Sequence, residues 1–154
     1  MIENYIFALF TQTIPESLAF SFTIAVFLKV KLKKKSIILI GLINGFLIYN
    51  IRLLPITFGF HTLFSLFIIT ILIYYFYNEN ILLCFTMSLK VFIILTLLEL
   101  FYSFLILSFT DINLNLIMSK SYIKTLVMLP QTITLFLTGL LVNYIRKFNK
   151  GDDQ

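Results

Sequence analysis

Five apolar stretches, at about 4–28, 36–54, 58–77, 81–108 and 121–145, occupy most of this 154-residue chain. Each is near or above the roughly 20 residues that a helix needs to cross a hydrocarbon layer about 30 Å thick. Runs of this length are too long and too continuous for the core of a small water-soluble domain. Charged residues make up only 12% of the chain, against about 25% in soluble domains. A soluble enzyme, a disordered regulator and a disulfide-stapled secreted domain are therefore excluded. The expected fold class is an all-α membrane protein, a single domain over 1–150 with about five transmembrane helices and a polar tail at 151–154.

The formal charge of +5 does not point to nucleic acid. Lys29, Lys31, Lys33, Lys34 and Lys35 lie between the first two stretches, and Arg146, Lys147 and Lys150 follow the fifth. An odd number of crossings puts both clusters on one side. The positive-inside rule makes that side cytoplasmic, with the N-terminus outside and the C-terminus inside. Arg52, Lys120 and Lys124 then face outward and Lys90 lies within the fourth stretch. The expected location is a cell membrane, crossed several times, with membrane lipids as constant partners. The N-terminus Met1-Ile2-Glu3-Asn4 has no basic region of the kind that opens a cleavable signal.

Ionisable groups inside a bilayer are expensive and usually face the interior of a bundle. Arg52, His61 and Lys124 each fall within about a turn of the outer end of a stretch, and Glu99 lies about 13 Å below the outer end of its own. Together they predict an outward-facing ligand pocket with excess positive charge, suited to an anionic headgroup, a carboxylate or a peptide terminus. Glu16, about 18 Å deep, is expected to pair with Lys90. With Asn44 and Gln131 these form a second polar pocket. The competing explanation is structural ion pairing, with Arg52 and Lys124 snorkelling to the headgroups.

Pro15-Glu16 and Pro130-Gln131 are expected to interrupt the first and fifth helices, as broken helices do in transporters. Gly41 and Gly45 form a GxxxG pattern that permits close helix approach and a homodimer seam. Enzymatic chemistry is not expected. His61 and Cys84 fall near opposite faces of the bilayer, too far apart for a cysteine nucleophile and its base, which must lie about 3 Å apart. One histidine and one cysteine build no metal site, and no cofactor motif is present.

The order of features resembles a known family. An early polar break at Pro15-Glu16 precedes a Lys-rich loop, then Tyr49-Asn50-Ile51-Arg52-Leu53-Leu54-Pro55 and Phe58-Gly59-Phe60-His61-Thr62. Ser88-Leu89-Lys90 and Leu97-Leu98-Glu99 follow. This looks like the N-terminal multi-span sensor region of peptide-sensing receptor histidine kinases of the accessory-gene-regulator type, which serve quorum sensing in low-GC Gram-positive bacteria. The resemblance implies ligand sensing from outside, dimerisation, and signal transfer through the last helix. It departs from the family after Lys150, where no kinase domain follows. That leaves open a piece of a longer receptor or a stand-alone sensor acting through a kinase or regulator partner. The alternatives are a substrate-binding subunit of a multi-subunit transporter and a structural or accessory membrane protein.

Overall fold

The computed structural model describes residues 7, 9–52, 60–109 and 121–151; within the helices, the side chains of 52, 60–62, 106, 107, 109, 121–128, 150 and 151 lie outside the description. All described structure is helical. A π-helical turn, Leu9–Thr13, leads into α1 (Ile14–Phe27), followed by α2 (Lys34–Arg52), α3 (Phe60–Tyr77), α4 (Ile81–Phe109) and α5 (Ser121–Gly151). The five α-helices fall on the five apolar stretches. Segments of α2 and α4, Lys34–Ile51 and Ile81–Leu105, are long and apolar enough to cross a membrane by length and composition.

The π-turn has a covalent cause. Pro15 has no N–H to give Thr11, and its ring crowds the carbonyl of that residue. The backbone widens by about one residue per turn ahead of the proline. Pro130 behaves differently. It lies inside α5, which continues through it without interruption, so the expected break in the fifth helix is not found.

The ends of the helices follow from local chemistry. α1 stops where Lys29 adopts a left-handed backbone (φ 59°). The Leu28 and Lys29 N–H groups donate back to Ile24 and Val26 carbonyls at 2.9 and 3.0 Å. α3 stops at Asn78 (φ 53°), a residue type that tolerates this conformation. The Asn80 side chain then caps α4 by accepting the Leu82 N–H at 2.9 Å.

α1 touches all four other helices and is the most enclosed of them, with Phe20, Ile24, Ala25 and Val26 buried. α2, α3, α4 and α5 follow one another around it, each packed on the next except that α1 closes the gap between α5 and α2. On α4 the buried positions are Cys84, Ser88, Val91 and Leu95, spaced at the i, i+4, i+7 rhythm of one helix face. Lys90 falls off that stripe and is exposed, as is Glu99. The expectation that Lys90 turns inward is thereby corrected. The outer surface is strongly apolar: Phe46, Phe67, Leu97, Phe104, Leu141 and Phe148 are among many large side chains facing out.

Candidate functional site

Small residues let α1 and α2 approach closely. A Cβ added at Gly41 would sit 2.6 Å from Leu18 Cδ2 and 2.9 Å from the Leu18 Cα. One added at Gly45 would lie 3.4 Å from Ile14 and from Ser17 Oγ. The GxxxG face is thus filled by α1 of the same chain, which corrects the expectation of a homodimer seam through Gly41 and Gly45. Between the two glycines, Asn44 Nδ2 donates to Ser17 Oγ at 3.2 Å. Lower down, the Ser21 hydroxyl lies 3.1 Å from the Ile37 carbonyl.

α5 meets α1 on a different flank. The Thr23 hydroxyl lies within hydrogen-bond reach of both the Ala19 carbonyl (2.8 Å) and the Leu135 carbonyl (3.2 Å). The Phe22 and Phe136 rings are 4.9 Å apart, and Gly139 leaves room for Thr23 and Phe22. In both helices the residue numbers rise in the same direction, so α1 and α5 run parallel. With Phe22 beside Phe136, five residues towards the N-terminal end of each helix bring Ser17, with Glu16 next to it in sequence, level with Gln131. The two proline-containing turns therefore share one level.

That level gathers most of the buried polar side chains among the described residues. Gln12, Thr13, Ser17, Asn44, Gln131 and Thr132 are buried, and Glu16 is half-buried. Thr13, Glu16 and Thr132 are all engaged in polar interactions. Two amide oxygens are not: Asn44 Oδ1 and Gln131 Oε1 have no hydrogen-bond partner, although their residues are only 1% and 3% exposed. An unpaired buried acceptor costs about 1–3 kcal/mol, so each marks a place where a donor from outside the chain would be welcome. Asn44 meets α1 on Ser17, the flank turned to α2, whereas Gln131 lies on the flank turned to α5.

The layer is tied to the rest of the molecule. Tyr102 on α4 and Thr134 on α5 share a 2.7 Å hydrogen bond, and the Thr134 hydroxyl also reaches the Pro130 carbonyl at 2.8 Å. From Gln131, α5 continues unbroken to Arg146, whose Nη2 donates to the Lys29 carbonyl at 2.7 Å. The level of the prolines and the basic end of the bundle are thus joined by one helix.

Of the residues singled out from the sequence, Glu16 and Gln131 come to one level, and Asn44 lies there on the neighbouring flank. Lys90 is not with them, so it is not the counter-charge of Glu16. Arg52 and His61 flank the connection between α2 and α3, and Lys124 is near the start of α5. Their side chains lie outside the described residues. Gln12, Thr13, Ser17 and Thr132 were not anticipated. Three of these could have been found, because Gln12 with Glu16 and Thr13 with Ser17 each stand four residues apart, the spacing of one helix face.

Among the described residues no group of three or more His, Cys, Asp or Glu stands ready to hold a metal. No family model matches the chain, and no curated protein or solved structure is similar to it.

Proposed function

We propose that this chain is a multi-pass membrane sensor, with five crossings, its N-terminus outside and its basic end in the cytoplasm. The observation that carries the reading is the buried polar layer at Glu16, Ser17, Asn44 and Gln131, linked by one continuous helix to Arg146 at the basic end. The apolar outer surface supports the membrane setting, since exposed apolar area on this scale is not sustained by a water-soluble monomer. A peptide or lipid-like ligand would enter from outside past Arg52, His61, Glu99 and Lys124. Binding that favours one packing of α5 on α1 shifts the population of the two packings. α5 then presents that shift to a kinase or regulator at the cytoplasmic face.

The test is affinity capture of the chain from native membrane in mild detergent, followed by ligand titration of the Arg52→Ala and Glu16→Ala variants. A co-purifying kinase or regulator, with ligand response lost in Arg52→Ala, supports sensing. A co-purifying ATPase with a coupling subunit, and response lost in Glu16→Ala alone, refutes it. That second outcome belongs to a transport subunit, a reading favoured by the two proline-bearing turns of α1 and α5 at one level.

A further inference from the structure

We propose that the basic end of the bundle, where the connection between α1 and α2 meets the last turns of α5, is a docking site for the headgroups of anionic phospholipids. The inference rests on the membrane setting but not on sensing, and its test involves neither a kinase nor a sensed ligand. The site lies at the opposite end of α2 from Arg52, so it is separate from the outer cluster.

The connection is built as a two-sided strip. From Leu28 to Lys33 the chain is not helical, and burial alternates along it. Leu28 is buried, Val30 packs against the same apolar core and Leu32 is half-buried. Lys29, Lys31 and Lys33, which alternate with them, are exposed. The apolar residues thus pin the strip to the bundle and hold three ammonium groups outward. α2 then opens with Lys34 and Lys35, both exposed, and has no acid in its first turn.

α5 brings further cations to the strip. Arg146 Nη2 donates to the Lys29 carbonyl at 2.7 Å, which spends only one of the N–H groups that a guanidinium offers. The rest form a fork of the kind that grips a phosphate bidentately. Lys147 beside it is exposed. No acid stands in the strip or in the last turns of α5, and only Asp152 and Asp153 follow in the tail. Like charges gathered so closely repel one another, and an anion that enters among them relieves the repulsion.

The flank of the patch decides between a lipid and another polyanion. Tyr144, Ile145 and Phe148, on the same turns of α5, are exposed. An apolar and aromatic border beside a row of cations matches a molecule with a phosphate at one end and hydrocarbon at the other. Tyrosine is a residue type that settles at the boundary between hydrocarbon and headgroups. Nucleic acid or an acidic protein segment would satisfy the charge and leave that border in water.

The test is thermal unfolding of the full chain in a neutral detergent, followed by a thiol-reactive fluorophore. Cys84 is the only cysteine and is buried, so labelling reports unfolding. Phosphatidylglycerol, phosphatidylcholine, glycerol 1-phosphate and oligouridylate are added in parallel. The expected result is a melting temperature that climbs with phosphatidylglycerol alone, and less steeply at high salt.

Arg146→Ala combined with Lys147→Ala should melt like the parent chain without lipid. It should raise the half-saturating fraction of phosphatidylglycerol at least about tenfold, since each cation near an anionic surface adds its own attraction. Lys31→Gln with Lys33→Gln should do the same, and this pair carries the test if the first fails to fold. Lys90→Gln removes the one cation of α4, exposed and away from the patch, and should leave the response unchanged. The proposal is overturned by equal effects of phosphatidylglycerol and phosphatidylcholine, which would mean ordinary solvation of the apolar surface. It is equally overturned if oligouridylate or glycerol 1-phosphate matches the lipid, if Lys90→Gln loses as much response as the patch variants, or if nothing added changes the melting.

Discussion

Gly41 and Gly45 lie one turn apart on the same helix face, yet the structure predicts opposite outcomes for alanine at the two positions. At Gly41 the new methyl would meet the Leu18 Cα at 2.9 Å, and that atom is backbone and cannot rotate away. Carbon atoms pack at about 3.5–4.0 Å, so α1 and α2 must separate by at least about 0.6 Å. The Asn44–Ser17 hydrogen bond between them, at 3.2 Å, would be stretched beyond useful length. Overpacking costs about 1–3 kcal/mol and the lost hydrogen bond about 1 kcal/mol. The better helix propensity of alanine returns about 1 kcal/mol. The net effect of Gly41→Ala is a destabilisation of about 1–3 kcal/mol. At Gly45 the nearest atoms lie at 3.4 Å, an ordinary contact, so the propensity gain dominates and Gly45→Ala is neutral to slightly stabilising. Unfolding of both variants in detergent, read by labelling of Cys84, measures the difference directly. Equal destabilisation by both substitutions, or a Gly41→Ala protein as stable as the parent, would refute the assignment of this face to α1.

Thr23→Val keeps the shape of the side chain while removing the hydroxyl between the Ala19 and Leu135 carbonyls; a loss of about 0.5–1.5 kcal/mol is expected in the same melting assay. Tyr102→Phe removes the 2.7 Å bond to Thr134 and should cost a similar amount, with hydrogen exchange rising at the α4–α5 contact. Arg146→Ala releases the Lys29 carbonyl. The group is exposed, so global stability should hardly change while proteolysis at 28–33 accelerates. Pro15→Ala restores an N–H for Thr11, so the π-turn should relax to α-helix and turn the preceding segment by about 100°. In a Cys84→Ser background, Gln12→Cys should then react faster with maleimide than it does with Pro15 in place.

Helix positions along the chain were legible because the apolar stretches are long and separated by Lys-rich, Pro-containing or Asn-containing segments. The azimuth of each residue was not. α4 is apolar all round, so a central location in its sequence gave no sign that Lys90 faces out while Ser88 faces in. The buried stripe Cys84, Ser88, Val91, Leu95 is built largely from small side chains, while Leu82, Leu97 and Phe104 face outward. The usual rule that the largest apolar groups go inside would have oriented the helix backwards. Pro15 and Pro130 show the same limit. Sequence marks both as disturbances, but whether a helix widens, kinks or continues depends on the neighbours that receive the displaced carbonyl. The common level of Glu16 and Gln131 follows only from the parallel register of α1 and α5, which no local pattern contains.

The contacts that join α1 to α5 span 112 residues at Thr23–Leu135 and 117 at Lys29–Arg146. They have consequences for the order in which the molecule can be made. A chain emerging from the ribosome presents α1 first, with Gln12, Thr13 and Glu16 already on it and their counterpart Gln131 still to be synthesised. The most enclosed helix therefore waits longest for its last neighbour, and the largest loop closes at the end. Nascent chains halted before Gln131 should hold α1 in an open, protease-sensitive arrangement that becomes resistant only once α5 is complete.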